Sequence, residues 1–430
     1  MEELSTGTRN TSQLPPSRVP FHYAWLVAAV TFLTLLISAG IRSTPGVLIV
    51  PLEQYFHWDR TVITFALAIN LALYGFCGPF AAALIEKYGA RRIILAALAL
   101  LAAAAALSTR MQAPWQLILT WGIMVGVGTG FTSSVLGAVV ANKWFKERKG
   151  LVVGILTASG AAGQLVFLPL LARAATSGGW QSAVWLSAAA TLVVTVMVFI
   201  FMKNKPSDVG LLPYGALRDE AGPAESKPLK AVMAGLRRGI KSREFWLLSG
   251  SFFVCGASTN GLIGTHFIPA AIDKGISEVT AASLLALTGG FNIIGTTLSG
   301  WLSDRYNNRW LLFWYYGLRG LSLLFLPHAF GAGYLSLGLF IVFYGLDWIA
   351  TVPPTVRLTT EVFGEQGGVV YGWIFAIHQL GAAAAAFGGG ALHTWMGDYR
   401  AVFIISGVLC LLASGLVLRI GHSVKYAVAE

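Results

Sequence analysis

The sequence predicts an all-α membrane protein with twelve transmembrane helices arranged as two parallel six-helix repeats. Of its 430 residues, 56% are hydrophobic and 11% are charged, which is too little charge to cover a soluble protein of this size. Apolar stretches of about 20 residues, the length that spans a bilayer as a helix, recur along the chain. The sequence shows no strand-like alternation, so helices rather than a transmembrane barrel are expected.

The apolar stretches set the expected domain boundaries. They are centred near residues 35, 73, 101, 128, 161, 191, 257, 290, 322, 345, 379 and 409. Six belong to an N-terminal half, 21–202, and six to a C-terminal half, 244–420, with a polar cytoplasmic linker, 203–243, between them. Residues 1–20 are polar and proline-containing, so we expect a disordered cytoplasmic tail, and residues 421–430 form a second short tail.

The basic charge predicts topology rather than a nucleic-acid partner. The formal net charge is +11, and with twelve crossings 23 of the 30 Lys and Arg residues fall in the tails and loops of one side. The positive-inside rule therefore places both termini in the cytoplasm and the chain in the plasma (inner) membrane as a multi-pass protein. The lipid bilayer is an expected partner and nucleic acid is not.

Two motifs repeat at one constant offset. "EKYGARR" (86–92) aligns with "DRYNNRW" (304–310), and "FKERKGLVVG" (145–154) aligns with "FGEQGGVVYG" (363–372). Parallel six-helix repeats joined by a long loop are typical of transporters, whose substrate site lies between the halves near the bilayer midplane. The repeat therefore predicts a transporter with a central site.

The loops "GWLSDRYNNR" (300–309) and "AALIEKYGARR" (82–92) resemble the signature of the major facilitator superfamily, G-x-x-x-D-R followed by basic residues. The resemblance covers nearly the whole chain and implies the major facilitator fold, with helices 1, 4, 7 and 10 around a central cavity. It also implies a cytoplasmic gate in which acidic and basic residues pair. The expected gate residues are Glu86, Lys87, Arg91, Arg92, Asp304, Arg305 and Arg309. The first copy departs from the pattern at Ala82 and Glu86.

Three further segments resemble the monocarboxylate and oxalate/formate branch of that family. They are "GIRSTPGVLIVPLEQYFHWDR" (40–60), "KWFKERKGLVVGI" (143–155) and "YGWIFAIHQLGAA" (371–383). The branch carries an arginine on helix eight and, in oxalate/formate members, a lysine on helix eleven. Thr296 and His378 stand at the matching positions here, so an oxalate-type site does not carry over. A small organic anion, a monocarboxylate, is the expected substrate.

Arg42 places a permanent cation inside the otherwise apolar first helix, in "SAGIRSTPGVLIVPL" (38–52). Ionisable groups at membrane depth cost about 2.5–3.5 kcal/mol on insertion scales and usually face a cavity. A guanidinium group has a planar fork that matches a carboxylate. We therefore expect Arg42 to bind the anion; the alternative is that its side chain snorkels to the extracellular surface.

Other polar residues within the spans complete the expected site. The substrate-binding candidates are Arg42, Asn260, His266, Asn292, Tyr344 and His378. The proton-coupling candidates are Asp347, a carboxyl group in mid-helix, and His378, which can titrate near neutral pH if water reaches it. The alternative for Asp347 is a structural partner of a helix-end amide or of Arg42. Arg319 is expected to be structural, and Arg357 is expected to belong to the gate or to the positive-inside charge.

The sequence contains no signature of an enzyme. It lacks the phosphate-binding pattern G-x-x-x-x-G-K-[ST] and shows no His/Cys/Asp cluster with metal spacing, so neither a cofactor nor a metal is expected. The prediction is a monomeric secondary transporter that moves a small organic anion together with H⁺. Two alternatives stay open: a proton-coupled exporter of amphipathic or drug-like solutes, and a non-transporting membrane sensor. The direction of transport also stays open.

Overall fold

The computed structural model describes residues 22–216 and 228–421, and these residues fold almost entirely into helices. Ten helical segments among them are long and apolar enough to cross a membrane. One of these, Tyr334–Met396, reverses direction at the turn Gly364–Gln366, after which Gly367 packs back against Thr360. With Asn308–Gly331 the described residues contain twelve long helices, as the sequence predicts. The expected tail 1–20 lies outside the described residues, as does nearly all of 421–430.

The helices are numbered α1 to α12 along the chain. The first half contains α1 (Tyr23–Phe56), α2 (Arg60–Tyr88), α3 (Ala90–Ser108), α4 (Pro114–Trp144), α5 (Lys149–Gly178) and α6 (Trp180–Phe201). The second half contains α7 (Arg243–Asp273), α8 (Glu278–Ser303), α9 (Asn308–Gly331), α10 (Tyr334–Asp347 and Val352–Phe363), α11 (Gly367–Met396) and α12 (Arg400–Val417). In the proposed linker, the helix Pro228–Gly239 contacts α11 through a hydrogen bond from Trp373 Nε1 to the Val232 carbonyl.

The described ends of the chain lie on one face of the helix bundle, which we call the terminal face. The His22 ring packs against Tyr214 in the loop after α6, at 5.5 Å between ring centroids. The Ile420 carbonyl accepts a hydrogen bond from Arg309 in the first turn of α9. The opposite face includes the loops α1–α2, α7–α8 and α11–α12.

Glycine brings helices together at very short distances. A Cβ atom on Gly75 of α2 would lie 2.5 Å from Cβ of Gln379 on α11, so this contact between the two halves depends on the missing side chain. A Cβ atom on Gly381 of α11 would overlap the Phe253 carbonyl oxygen of α7. Small residues let membrane helices approach closely, since lipid supplies no hydrophobic force between them.

Two helices are interrupted at matching positions of the two repeats. Helix α4 breaks at Thr132 and Ser133, where Ser133 is extended, and α10 breaks between Asp347 and Val352. The offset that aligns the loop motifs also aligns these breaks. Interrupted membrane helices in corresponding positions of two halves are the best pointer to a transporter's binding site. The breaks therefore direct attention to the middle of the bundle.

The glycine contact can be tested with two substitutions in one helix. Gly381→Ala should destabilise the protein by about 1–3 kcal/mol, because the new methyl group overlaps backbone of α7 and the helices must move apart. Gly388→Ala is the matched control, since nothing lies within 4 Å of its Cβ position. The measurement is the unfolding temperature in detergent. Equal unfolding temperatures for the two variants would contradict the packing argument.

Candidate functional site

A cavity of about 430 Å³ lies between the two halves. Its walls come from α1, α2, α4 and α5 of the first half and from α7, α8, α10 and α11 of the second. It reaches Gly154 and Tyr371, each within two turns of the terminal face, and both helix breaks border it, at Ser133 and Val352. The interrupted helices α4 and α10 thus expose irregular backbone where it faces a cavity, as a membrane interior requires.

Arg42 lies on the wall of this cavity rather than at the opposite face. Its guanidinium carbon is 4.7 Å from the centroid of the Tyr74 ring, a cation–π contact that orients the side chain. Among the described residues, no carboxylate lies within ion-pair distance of Arg42. The guanidinium group is therefore held in place without an anion of its own.

Beyond Arg42 the bundle closes. A space of about 40 Å³ continues past Arg42, with Asn260 and Thr265 among its walls. At this space α1 and α7 pack so closely that a Cβ atom on Gly46 would lie 2.9 Å from the Gly264 carbonyl oxygen. Arg42 and Asn260 border both spaces and so mark the closed end of the cavity.

Four of the predicted substrate-binding residues meet on the cavity wall: Arg42, Asn260, Asn292 and His378. Their hydrogen-bonding states differ. The Asn292 Oδ1 atom accepts bonds from Thr296 Oγ1 at 2.9 Å and Ile349 N at 3.1 Å, so it braces α8 against the break in α10. The buried His378 ring packs on Phe252 and Phe375, and its Nδ1 atom has no partner among the described residues.

The other two predicted substrate-binding residues lie away from the cavity wall. His266 is fully buried, with Nε2 at 2.8 Å from the Ala386 carbonyl oxygen and Nδ1 at 3.2 Å from the Tyr399 hydroxyl. The Tyr344 hydroxyl donates to the Ser258 carbonyl oxygen at 2.7 Å. Helix packing holds both side chains away from the cavity wall, with their polar atoms bonded inside the protein. The sequence alone does not show these contacts between distant helices.

Asp347 is paired with Arg319 of α9. The Arg319 Nε atom donates to Asp347 Oδ2 at 2.7 Å, and Nη2 donates to the backbone carbonyl of the same residue. A third bond runs from Nη1 to Cys255 Sγ at 2.9 Å. Arg319 is fully buried, and it binds both the carboxylate and the carbonyl end of the first α10 segment. These bonds show Arg319 joining α9 to α10 and α7, a structural contact. The Oδ1 atom of Asp347 has no hydrogen-bond partner among the described residues.

A second ion-pair cluster joins the two halves at the opposite face. Arg60, at the start of α2, donates to Glu53 at 2.8 Å and binds both oxygens of Asp273, at the end of α7, at 2.6 and 2.7 Å. The His393 ring lies 3.1 Å from both Arg60 and Asp273. Burial raises the pKa of the Tyr399 hydroxyl, which accepts a further bond from Arg60. Sequence reasoning did not single out these residues, because their partners come from distant segments.

The predicted gate residues lie at the terminal face and make contacts within their own halves. Asp304 pairs with Arg357 of α10. Arg91 donates to the Phe199 carbonyl oxygen and Arg309 to that of Ile420. The remaining members, Glu86, Lys87, Arg92 and Arg305, are exposed. The halves are thus bridged by charge at the opposite face, while the cavity extends toward the terminal face.

Comparisons with known proteins agree with a transporter fold of two six-helix halves. The family model described as Major Facilitator Superfamily matches residues 31–386. An uncharacterized MFS-type transporter of Bacillus subtilis is 27% identical over 404 residues, covering 91% of this chain and 93% of the relative. Monocarboxylate transporter 13 of Rattus norvegicus is 25% identical over 414 residues, covering 93% of this chain and 89% of the relative.

Two solved structures share the fold. The D-xylose-proton symporter superposes with a TM-score of 0.70 at 14% identity, covering 93% of this chain and 98% of its own. A bacterial homolog of the human lysosomal transporter Spinster, in an inward-facing and unoccupied conformation, superposes with a TM-score of 0.72, also at 14% identity. It covers 92% of this chain and 96% of its own. At this identity the likeness shows the fold alone.

The Arg60 cluster gives a first test of how the opposite face closes. Ser43 borders the space beyond Arg42, and Ser43→Cys makes this position a site for labelling. In that background, Arg60→Gln should let an impermeant maleimide reach position 43 from the opposite face. Losing one partner of a buried charge pair costs about 3–5 kcal/mol, so labelling should accelerate about tenfold or more. Arg400→Gln is the matched control, an exposed arginine of the same face. Labelling at the wild-type rate in Arg60→Gln would contradict the closing role.

The Arg319–Asp347 pair gives a second test, by a double-mutant cycle. Arg319→Met or Asp347→Leu alone should lower the free energy of unfolding by about 3–5 kcal/mol, because each leaves an uncompensated buried charge. The double variant should recover most of that loss, since an apolar pair has no charge to desolvate. The exposed Asp304–Arg357 pair is the control and should contribute about 1 kcal/mol or less. Additive losses at Arg319 and Asp347 would show that the two groups are not coupled.

Proposed function

Because the chain belongs to the major facilitator superfamily, we propose that it transports a small organic anion, a monocarboxylate, by alternating access between its two halves. The observation that carries the proposal is Arg42, a guanidinium group at the closed end of the central cavity with no carboxylate of the described residues paired to it. Several relatives are named monocarboxylate transporters, which supports the same substrate class.

The chemistry of the cavity fits an anion with a small apolar body. A guanidinium group binds a carboxylate through two parallel hydrogen bonds. Asn260 borders the same end and can donate a further bond, while Phe252 and Phe375 supply apolar surface nearer the terminal face. The carboxylate would therefore bind at the closed end, with the rest of the molecule toward the terminal face.

The distribution of basic residues supports an assignment of the two faces of the bundle to the two sides of the membrane. We place the terminal face in the cytoplasm of a plasma (inner) membrane, because most of the Lys and Arg residues lie on that side. The cavity then faces inward, and the Arg60 cluster closes the extracellular side. Outward opening would require the bond between Arg60 and Asp273 to break, while the motif residues around Asp304 would close the cytoplasmic side.

Proton coupling is the second part of the proposal. A proton that moves with the anion makes the pair electrically neutral, and the two candidate carriers remain Asp347 and His378. Asp347 has a free oxygen but is held by Arg319, so a proton there would compete with an existing ion pair. If Asp347 is the carrier, the Arg319→Met/Asp347→Leu protein should exchange substrate but fail to accumulate it against a gradient when driven by pH. Intact accumulation would assign the proton to His378.

One observation favours the alternative of an exporter for amphipathic solutes, namely the aromatic surface of the cavity wall. Such a solute is commonly cationic, and Arg42 on the same wall would repel it. Binding of lipophilic cations without binding of carboxylates by the purified protein would establish this alternative.

Arg42 provides the direct test of the anion site. Arg42→Lys keeps the positive charge but loses the planar guanidinium group that can bind a carboxylate through two hydrogen bonds. Arg42→Gln loses both the charge and this geometry. Removing one partner of a buried charge pair costs about 2–5 kcal/mol, so Arg42→Gln should weaken carboxylate affinity by roughly 30-fold or more, with Arg42→Lys in between. The measurement is carboxylate binding per folded protein. Arg173→Gln, at an exposed arginine, is the control. Unchanged affinity in Arg42→Gln would overturn the anion role.

A further inference from the structure

We infer that the helix Pro228–Gly239, which we call the linker helix, binds the headgroups of anionic phospholipids in the leaflet at the terminal face. Such binding does not depend on which substrate is transported. Residues 228–243 contain five Lys and Arg residues and no Asp or Glu. The positive-inside rule accounts for the number of these charges. It does not account for their arrangement on the helix, which points to a lipid.

The linker helix lies beside the ends of the membrane-spanning helices. In addition to the bond from Trp373 to the Val232 carbonyl, a Cβ atom on Gly235 would lie 2.5 Å from Val369 Cγ1 of α11. The linker helix also contacts α2, so it reaches both halves. Helix α11 has 30 residues and is therefore about 45 Å long. Because the hydrocarbon layer is only about 30 Å thick, the end turns of α11 and the linker helix beside them lie at the level of the headgroups.

The residues of the linker helix divide into a buried face and an exposed stripe. Val232, Gly235 and Gly239 are buried and share one face, since residues three and four apart are neighbours on a helix. The backbone N–H of Ile240 still bonds the Leu236 carbonyl, so the helical spacing continues to that residue. A second set with the same spacing is exposed along its whole length. This exposed stripe consists of Lys230, Met233, Arg237 and Ile240.

Trp246 lies at the end of the exposed stripe. It belongs to the first turn of α7, is 57% exposed, and donates from Nε1 to the Ile240 carbonyl oxygen at 3.0 Å. Tryptophan is enriched where membrane helices pass through the headgroup level. Met233 and Ile240 are 47% and 45% exposed, although both side chains are apolar. The stripe therefore fits the boundary between headgroups and acyl chains, where an amphipathic helix buries its apolar side chains.

The basic residues of the stripe are available to a ligand. Among the described residues, neither Lys230 nor Arg237 has an ion-pair partner. Lys and Arg lay their apolar stems along hydrophobic surface while the charged group stays in the polar layer. A guanidinium group binds a phosphate through two parallel hydrogen bonds. The alternation of basic and apolar side chains thus matches a phospholipid, whose phosphate and acyl chains are covalently joined.

The charge of the stripe favours a lipid with a net negative charge. A basic residue at a membrane surface gains about fivefold in affinity for anionic lipid, whereas a zwitterionic headgroup offers no net attraction. Phosphatidylglycerol is therefore a suitable probe, and phosphatidylcholine is its uncharged comparison.

The experiment measures the unfolding temperature of the purified full-length protein in detergent while either lipid is added. A lipid that binds the folded protein raises this temperature. Lys230→Gln/Arg237→Gln should raise the half-maximal concentration of phosphatidylglycerol about tenfold or more, because two charged contacts are lost. Arg238→Gln/Lys241→Gln is the matched control. It removes the same charge from exposed residues of the same segment outside the stripe and should behave as the wild type.

Four outcomes would overturn the lipid site. Phosphatidylglycerol without effect on the wild type, or an equal effect of phosphatidylcholine, would exclude recognition of an anionic headgroup. Equal half-maximal concentrations for the two double variants would show that the stripe has no special role. A changed oligomeric state in Lys230→Gln/Arg237→Gln, with unchanged lipid dependence, would assign the stripe to a second copy of the chain.

A second readout locates the stripe in the bilayer. In nanodiscs of equal amounts of the two lipids, Met233→Cys should react with an impermeant maleimide severalfold more slowly than Ala234→Cys, because the apolar residues of the stripe are covered by lipid. Ala234 is exposed and adjacent but lies outside the stripe. The wild type measures the background from the three native cysteines, which lie within spans. Equal rates at the two positions would place the stripe in water and overturn the inference.

Discussion

The bond between Arg319 and Asp347 is the constraint on which the centre of the second half depends. The first segment of α10 ends at Asp347, and its last carbonyl groups would be left unpaired in a region without water. The Arg319 guanidinium group satisfies the Asp347 carbonyl, the Asp347 carboxylate and the Cys255 sulfur at once, so it ties α9, α10 and α7 together. Buried ion pairs often add little stability but can enforce a single arrangement. Here the ion pair fixes the break in α10, and this break borders the cavity.

Once that break exists, the polar groups in the bundle divide into two kinds. Some are bonded within the fold: Asn292 Oδ1 braces the break, His266 binds a backbone carbonyl, and Tyr344 holds α7 against α10. Others border the cavity without a partner, above all Arg42, which has no carboxylate within ion-pair distance among the described residues. The side chains of the first kind shape the cavity, and those of the second kind are free to bind what enters it.

The sequence was sufficient for the fold and for part of the site. Twelve apolar stretches and a constant repeat offset predicted twelve helices, which the structure shows, and the resemblance to the major facilitator superfamily is confirmed by a family match over most of the chain. Arg42 could be found because a cation in an apolar helix is conspicuous at any position. The partner of Asp347 could not, since Arg319 looks equally isolated on a helix assigned to the periphery. Which polar atoms have partners depends on side-chain contacts between helices distant in sequence, and the sequence does not show that His266 and Tyr344 are bonded within the bundle.

The unpaired cation at Arg42 also gives the empty protein an electrical asymmetry. When the cavity is open to the cytoplasm, as we propose, the membrane field falls mainly across the closed part of the bundle beyond Arg42. Reorienting the empty protein therefore moves one positive charge through most of the field, at about 2.3 kcal/mol per 100 mV. A bound carboxylate cancels that charge, but the proton that accompanies it in the proposed symport restores it, so the empty and the loaded protein carry the same charge. A negative cell interior would thus favour the inward-facing form of both, and voltage would bias the orientation of the protein without driving net transport.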